Sequence, residues 1–285
     1  MAKIIRLLGW VFGGVSLLLN QASASVPVMD RVVWIWLEGV THAEVSSGSF
    51  IRNLIRNQPS IRFSGFSGVG KSTQGDALAM IAGTDLGIKD NELTRIFTPT
   101  LIDLLESKGT PWKVYAEDFP GACYLSQGNG NYKRYRVPFL SLDQVQSNRY
   151  LCMNILNFSN YLDDLRNGTL GQVSVFVPNS KNGGASGDLQ SVDASLKSIL
   201  SPILMNEDLM DRTTFVISTM WPSPTREGAP FAMIFGKKVN GFARVSSEPA
   251  DHYSILRTLE EGLGLGSLNQ ADARAEALDG FWVNP

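Results

Sequence analysis

Five apolar runs recur along this chain, and they constrain its fold more than any other feature. Val32–Leu37, Trp112–Tyr115, Val173–Val177, Phe215–Ser218 and Phe231–Phe235 are each short and nearly free of charge. A strand with one wet face alternates polar and apolar residues. An uninterrupted run belongs to a strand covered on both faces, the usual state of a parallel sheet. Between the runs lie segments with helical spacing: Thr100–Lys108, Asp76–Ala82, and the stretch carrying Val192, Leu196, Ile199, Leu200 and Ile203. Strands separated by such helices imply βαβ units, and with them an α/β three-layer sandwich around a mostly parallel central sheet. Trp34 and Trp36 are expected within that sheet, on opposite faces. No repeat or low-complexity linker breaks the pattern, so residues 25–285 read as one domain.

Residues 1–24 have the three-part form of an export signal. Lys3 and Arg6 precede the apolar run Leu7–Leu19, and Ala22-Ser23-Ala24 offers a cleavage site before Ser25. The run is too short to span a bilayer comfortably, so the mature chain is expected in the periplasm or outside the cell without a transmembrane anchor. Without Lys3 and Arg6 the chain keeps 23 basic against 27 acidic residues, a balance that excludes a nucleic-acid surface. Export also suits Cys123 and Cys152, which an oxidising compartment lets close into a disulfide; two buried thiols are the alternative.

In sheets of this kind chemistry gathers at the C-terminal ends of the strands. The first run ends at Leu37-Glu38-Gly39, where Glu38 is either a metal ligand or base, or a turn cap. Gly65-Phe66-Ser67-Gly68-Val69-Gly70-Lys71-Ser72 matches the spacing of a phosphate-cradling P-loop. Its context fails, because neither later run ends in the Asp that would hold magnesium. What remains is a plausible anion site, with Lys71 and hydroxyls at a helix start. His252, one of only two histidines, opens the segment His252–Gly262 directly after Asp251. The other, His42, is expected in solvent.

Several segments together resemble a known family. Thr100-Leu101-Ile102-Asp103-Leu104-Leu105-Glu106, followed by Trp112-Lys113-Val114-Tyr115-Ala116-Glu117-Asp118-Phe119-Pro120, is similar to its "I-x-D-L-L … W-x-x-Y-x-E-D-x-P" pattern. The likeness continues in order through Tyr132–Phe139, Val177-Pro178-Asn179, Asp193–Leu196 and His252–Gly262, from about Arg31 to Leu268. The chain thus resembles the phosphoesterases that include secreted acid phosphatases and bacterial phospholipases C, within the alkaline phosphatase superfamily. That resemblance implies an alkaline phosphatase-like fold, a metal cluster, and a Ser or Thr nucleophile at a helix N-terminus. Glu38 matches the family's first acidic ligand, with Gly39 where an Asn normally follows. Thr73 falls at the nucleophile, beside Ser72, and Asp76 stands where the family has Asn. Arg136 replaces the histidine of "Y-x-R-K-H-x-P-F". Where the family runs "N-D-x-H-D-G", this chain reads Asn182-Gly183-Gly184-Ala185-Ser186-Gly187. Thr219-Met220-Trp221-Pro222 stands where an Asp-Glu pair should follow the fourth run, and His252 sits at the final histidine.

Glu38, Thr73 and His252 are too few strong ligands for two metal ions, unless Asp76, Asp188 or Asp251 substitutes. The expectation is therefore an exported, divergent phosphoesterase-family protein that is non-catalytic or anion-binding, with no cofactor. Lys71 and Arg136 would then hold a phosphate-bearing small molecule or lipid headgroup. One alternative is an active phosphoric ester hydrolase with Thr73 as nucleophile and one divalent metal ion on Glu38 and His252. Another is a structural or interaction protein in which Arg136 pairs with Asp76 or Glu38. In every version His252 is expected in a pocket near Glu38 and Thr73.

Overall fold

The computed structural model describes residues 25–220 and 228–283; the export signal read over 1–24, and Trp221-Pro222, lie outside them. Ten strands form: β1 (Arg31–Glu38), β2 (Ser60–Phe63), β3 (Trp112–Ala116), β4 (Gly128–Asn129), β5 (Tyr132–Lys133), β6 (Ile155–Asn157), β7 (Val173–Val177), β8 (Thr213–Met220), β9 (Ala232–Phe235) and β10 (Arg244–Ser246). Eight make one sheet in the order β10-β2-β9-β8-β1-β7-β3-β6, while β4 and β5 form a separate ribbon. Only β9 runs against its neighbours, pairing antiparallel with both β8 and β2. The sheet is thus mostly parallel, as its apolar runs imply. Short β2, β6 and β10 carry no such run.

Alternation along β1 builds the three layers. Val33, Ile35 and Leu37 join a core with Leu196, Ile199 and Ile203 of the helix Leu189–Leu204. Val32, Trp34 and Trp36 face the other way, toward the helices Thr73–Ala82, Leu101–Lys108 and His252–Leu263. The two tryptophans therefore share one face, contrary to expectation, because side chains two apart in a strand point the same way. Their rings meet edge to face at 5.3 Å. Trp34 Nε1 donates to Ser218 Oγ across the β1–β8 pairing at 2.9 Å, so burying the indole leaves no orphan donor.

Two helix starts matter for the site. The helix Thr73–Ala82 begins three residues before its expected start, because the Ser72 side chain caps it by accepting from Gly75 N. It ends at Gly83, whose φ of 63° suits a left-handed cap. The helix His252–Leu263 starts after Asp251, whose carboxylate accepts from Ser254 N, and stops at Gly264 with φ 61°. The two helices pack side by side against the β1–β8 face. Cys123 and Cys152 are joined as a disulfide, with Cα atoms 5.7 Å apart. No helix among the described residues is long and apolar enough to cross a membrane.

Candidate active site

β1 delivers Glu38 to the C-terminal edge of the sheet and locks it there. Its backbone N–H donates to Gly183 O at 2.8 Å, and Gly39 N donates to Met220 O at 2.9 Å. Gly39, at φ 61°, turns the chain away immediately. Both carboxylate oxygens of Glu38 meet partners within the protein. Thr73 Oγ1 donates to Oε1 at 2.8 Å, and Arg136 Nε lies 2.8 Å from Oε2. Glu38 is 5% exposed, Thr73 and Arg136 1% each. A charged pair this deeply buried is held by mutual attraction against a large desolvation cost.

One helical turn further on, Asp76 forms a second centre. Its Oδ1 accepts from Val69 N at 2.8 Å and from Gly70 N at 2.5 Å. Its Oδ2 lies 3.4 Å from His252 Nε2, and neither side chain is exposed to solvent. Phe66 packs edge-on against the His252 ring at 5.1 Å. The loop with P-loop spacing therefore turns its amides onto the protein's own carboxylate. A Cβ on Gly70 would come within 2.3 Å of Asp76 N, so the loop depends on that glycine to lie this close. The helix start is equally occupied, Gln74 N donating to Asn91 Oδ1 at 3.0 Å and Gly75 N to Ser72 Oγ at 3.0 Å.

The structure thus brings Glu38, Thr73 and Arg136 into one buried contact and sets Asp76, on the helix of Thr73, against His252 at the start of the helix His252–Leu263. Lys71 is exposed, whereas Arg136 is buried. Glu38, Thr73 and His252, expected around one pocket, are all buried, Thr73 against Glu38 and His252 against Asp76. Asp188 and Asp251, considered as substitute ligands, cap the helices Leu189–Leu204 and His252–Leu263. His42 is half-buried rather than exposed, with its ring beside Phe231 and Arg62.

Two features escaped the sequence reading. Arg134 is buried and donates to the carbonyls of Leu125 and Leu140, tying down the segment that carries Arg136. Glu117 receives Asn179 N at 2.9 Å and Asn182 Nδ2 at 2.6 Å, while Asp118 receives Asn179 Nδ2 at 2.7 Å. These bonds fix the loop after β7, including position 183. The Glu-Asp pair of the matched motif was the available signal, but its job is to orient a loop.

The residues present do not fit the metal cluster that the resemblance implies. Among the described residues no three His, Cys, Asp or Glu side chains converge. Glu38 already faces a permanent cation, and the ligand-bearing direction at position 183 is filled: a Cβ there would lie 2.2 Å from Arg136 Nη2.

Comparison with known proteins agrees with the architecture. The chain is 25% identical over 262 residues to a phosphate-repressible acid phosphatase of Penicillium chrysogenum, covering 87% of this chain and 62% of that one. It is 24% identical over 263 residues to an acid phosphatase of Aspergillus fumigatus, covering 88% and 58%. The chain therefore spans about six-tenths of the length of these relatives. An alkaline phosphatase-superfamily protein from Vibrio parahaemolyticus superposes with a TM-score of 0.57 at 14% identity, over 90% of this chain and 72% of that one. A Pseudoalteromonas sulfatase superposes with a TM-score of 0.54 at 11% identity, over 90% and 74%. Both share the fold. Residues 61–219, more than half of the chain, match the profile of the Phosphoesterase family, and the chain belongs to that family.

Proposed function

We propose that this chain is an exported member of the family that does not hydrolyse phosphoric esters and serves instead as a binding or assembly domain. One observation carries the reading: the Thr73 hydroxyl, at the nucleophile's position, is 1% exposed and donates its proton to Glu38. A nucleophile needs an open line to phosphorus and a nearby centre that lowers its pKa and neutralises the phosphoryl oxygens. Here the neighbouring carboxylate is already balanced by Arg136, and the oxygen is covered. Purified protein running from Ser25 to Pro285 is expected to show no turnover of 4-nitrophenyl phosphate with added zinc, magnesium, manganese or calcium. Turnover that Thr73→Ala abolishes would establish the opposite reading, a hydrolase with Thr73 as nucleophile and one divalent ion. Export is tested on the same preparation by mass spectrometry of the mature N-terminus, expected at Ser25.

Anion binding is the second reading, and it draws on Arg136 again. Its Nη1 and Nη2 are buried with no hydrogen-bond acceptor among the described residues. Unspent guanidinium donors suit a phosphate group, free or on a lipid headgroup. Calorimetric titration with inorganic phosphate and with glycerophosphocholine decides it. Binding that Arg136→Ala removes and Lys71→Ala weakens supports this reading, and no heat with either ligand rejects it.

A further inference from the structure

We infer that the Arg136 guanidinium is the resident cation of the strand-edge site, standing where a divalent ion would otherwise balance Glu38, and that glycine at position 183 makes room for it. The hydrolytic silence proposed above draws on the same Arg136–Glu38 pair, and its turnover assay is separate from the metal-binding test below, so the two can fail separately.

Three observations converge. Glu38 is a buried carboxylate, and a buried carboxylate must be paired, protonated or metal-bound. Arg136 Nε is 2.8 Å from its Oε2, with the two side chains 1% and 6% exposed. Position 183 is tied to that same residue, because Gly183 O accepts from Glu38 N at 2.8 Å. A side chain at 183 would start 2.2 Å from Arg136 Nη2, closer than a Cβ can lie, and 3.1 Å from its Cζ, so the guanidinium would have to leave its present place against Glu38. The guanidinium in this position and a ligand at 183 therefore exclude each other. The choice of cation also has a chemical consequence. A guanidinium keeps its charge at any pH a protein survives and cannot be stripped by a chelator, so Glu38 stays balanced in a metal-poor medium.

The test exchanges one cation for the other. The double variant Arg136→His with Gly183→Asp removes the guanidinium and places an imidazole and a second carboxylate beside Glu38. After dialysis against EDTA, this variant is expected to gain a Tm rise of at least about 5 °C in about 1 mM manganese, zinc or calcium, reversed by EDTA. The wild type should show no such rise and carry no stoichiometric metal after purification. A metal-bound wild type, or a folded double variant indifferent to all three ions, overturns the inference. Should the double variant fail to fold, Gly183→Ala decides. Its loss of Tm is expected to be at least about twice as large in the wild type as in an Arg136→Gln background, where the guanidinium is gone. The contact of the new methyl with Asn179 O, 2.9 Å away, is common to both backgrounds and cancels. Equal losses overturn the inference.

Discussion

Arg136 and Glu260 are both ionisable residues inside the protein, and the chain keeps them there by different physics. Arg136 keeps its charge and takes a carboxylate partner. Glu260, 1% exposed on the helix His252–Leu263, lies beside Asp272, and its pKa is pushed up to about 8, first by burial and then by the charge of Asp272. Arg257 and the Leu268 backbone N–H oppose that rise without cancelling it. Asp272 itself accepts from Ser267 Oγ, Leu268 N and Gln270 N, at 2.5 to 2.9 Å, and so anchors the turn after the helix. The sign of the effect follows. A carboxyl whose folded pKa lies above its unfolded value of 4.5 contributes stability that is complete below that value and is lost as pH rises through about 8. Tm should therefore fall between roughly pH 5 and pH 9, and Glu260→Gln should flatten that fall. Parallel profiles for the two proteins would count against it. At this scale the sequence pointed at Glu38, Thr73 and His252, yet it could not tell a ligand from a filled site. Only the position of the guanidinium tells, and that depends on a glycine forty-seven positions later in the chain, at 183.

Among elements, caps explain several acidic residues that a search for ligands would misread. Asp193 sits on the helix Leu189–Leu204, but its carboxylate faces the start of another helix, Ser49–Asn57. There it accepts from Ser49 Oγ, Phe50 N and Ile51 N at 2.9 to 3.1 Å. Gly48 is required beside it, since a Cβ there would lie 2.3 Å from Asp193 Oδ1. The bond joins two helices of one layer as well as satisfying an N-terminus. Asp193→Ala is expected to cost about 1–2 kcal/mol in chemical denaturation. A loss within error of zero would mean that water replaces the carboxylate. Asp193 was legible as part of the family resemblance, but its partner, far away in sequence, was not. The helix Thr73–Ala82 shows the same limit. Its apolar spacing marked the later turns, while Ser72 as the cap moved the start back to Thr73.

For the whole molecule, the disulfide Cys123–Cys152 ties the loop after β3 to the segment before β6, at the outer edge of the sheet. It closes a separation of 29 residues, for which loop entropy predicts a stabilisation of roughly 3–4 kcal/mol. Denaturation with and without reductant should reveal a difference of that order, and coincident curves would show that the edge is held by packing alone. What the sequence determined by itself was the sheet and its layers, because runs of four to six nearly uncharged residues admit few other states. It also determined the family and which ligand positions had changed, since those are matters of residue identity and order. The tertiary structure alone decided what fills the site. Burial, the seating of the Arg136 guanidinium against Glu38, and the turning of the Val69 and Gly70 amides onto Asp76 all arise from contacts between distant segments. A local pattern carries no information about which charge another segment will place against it.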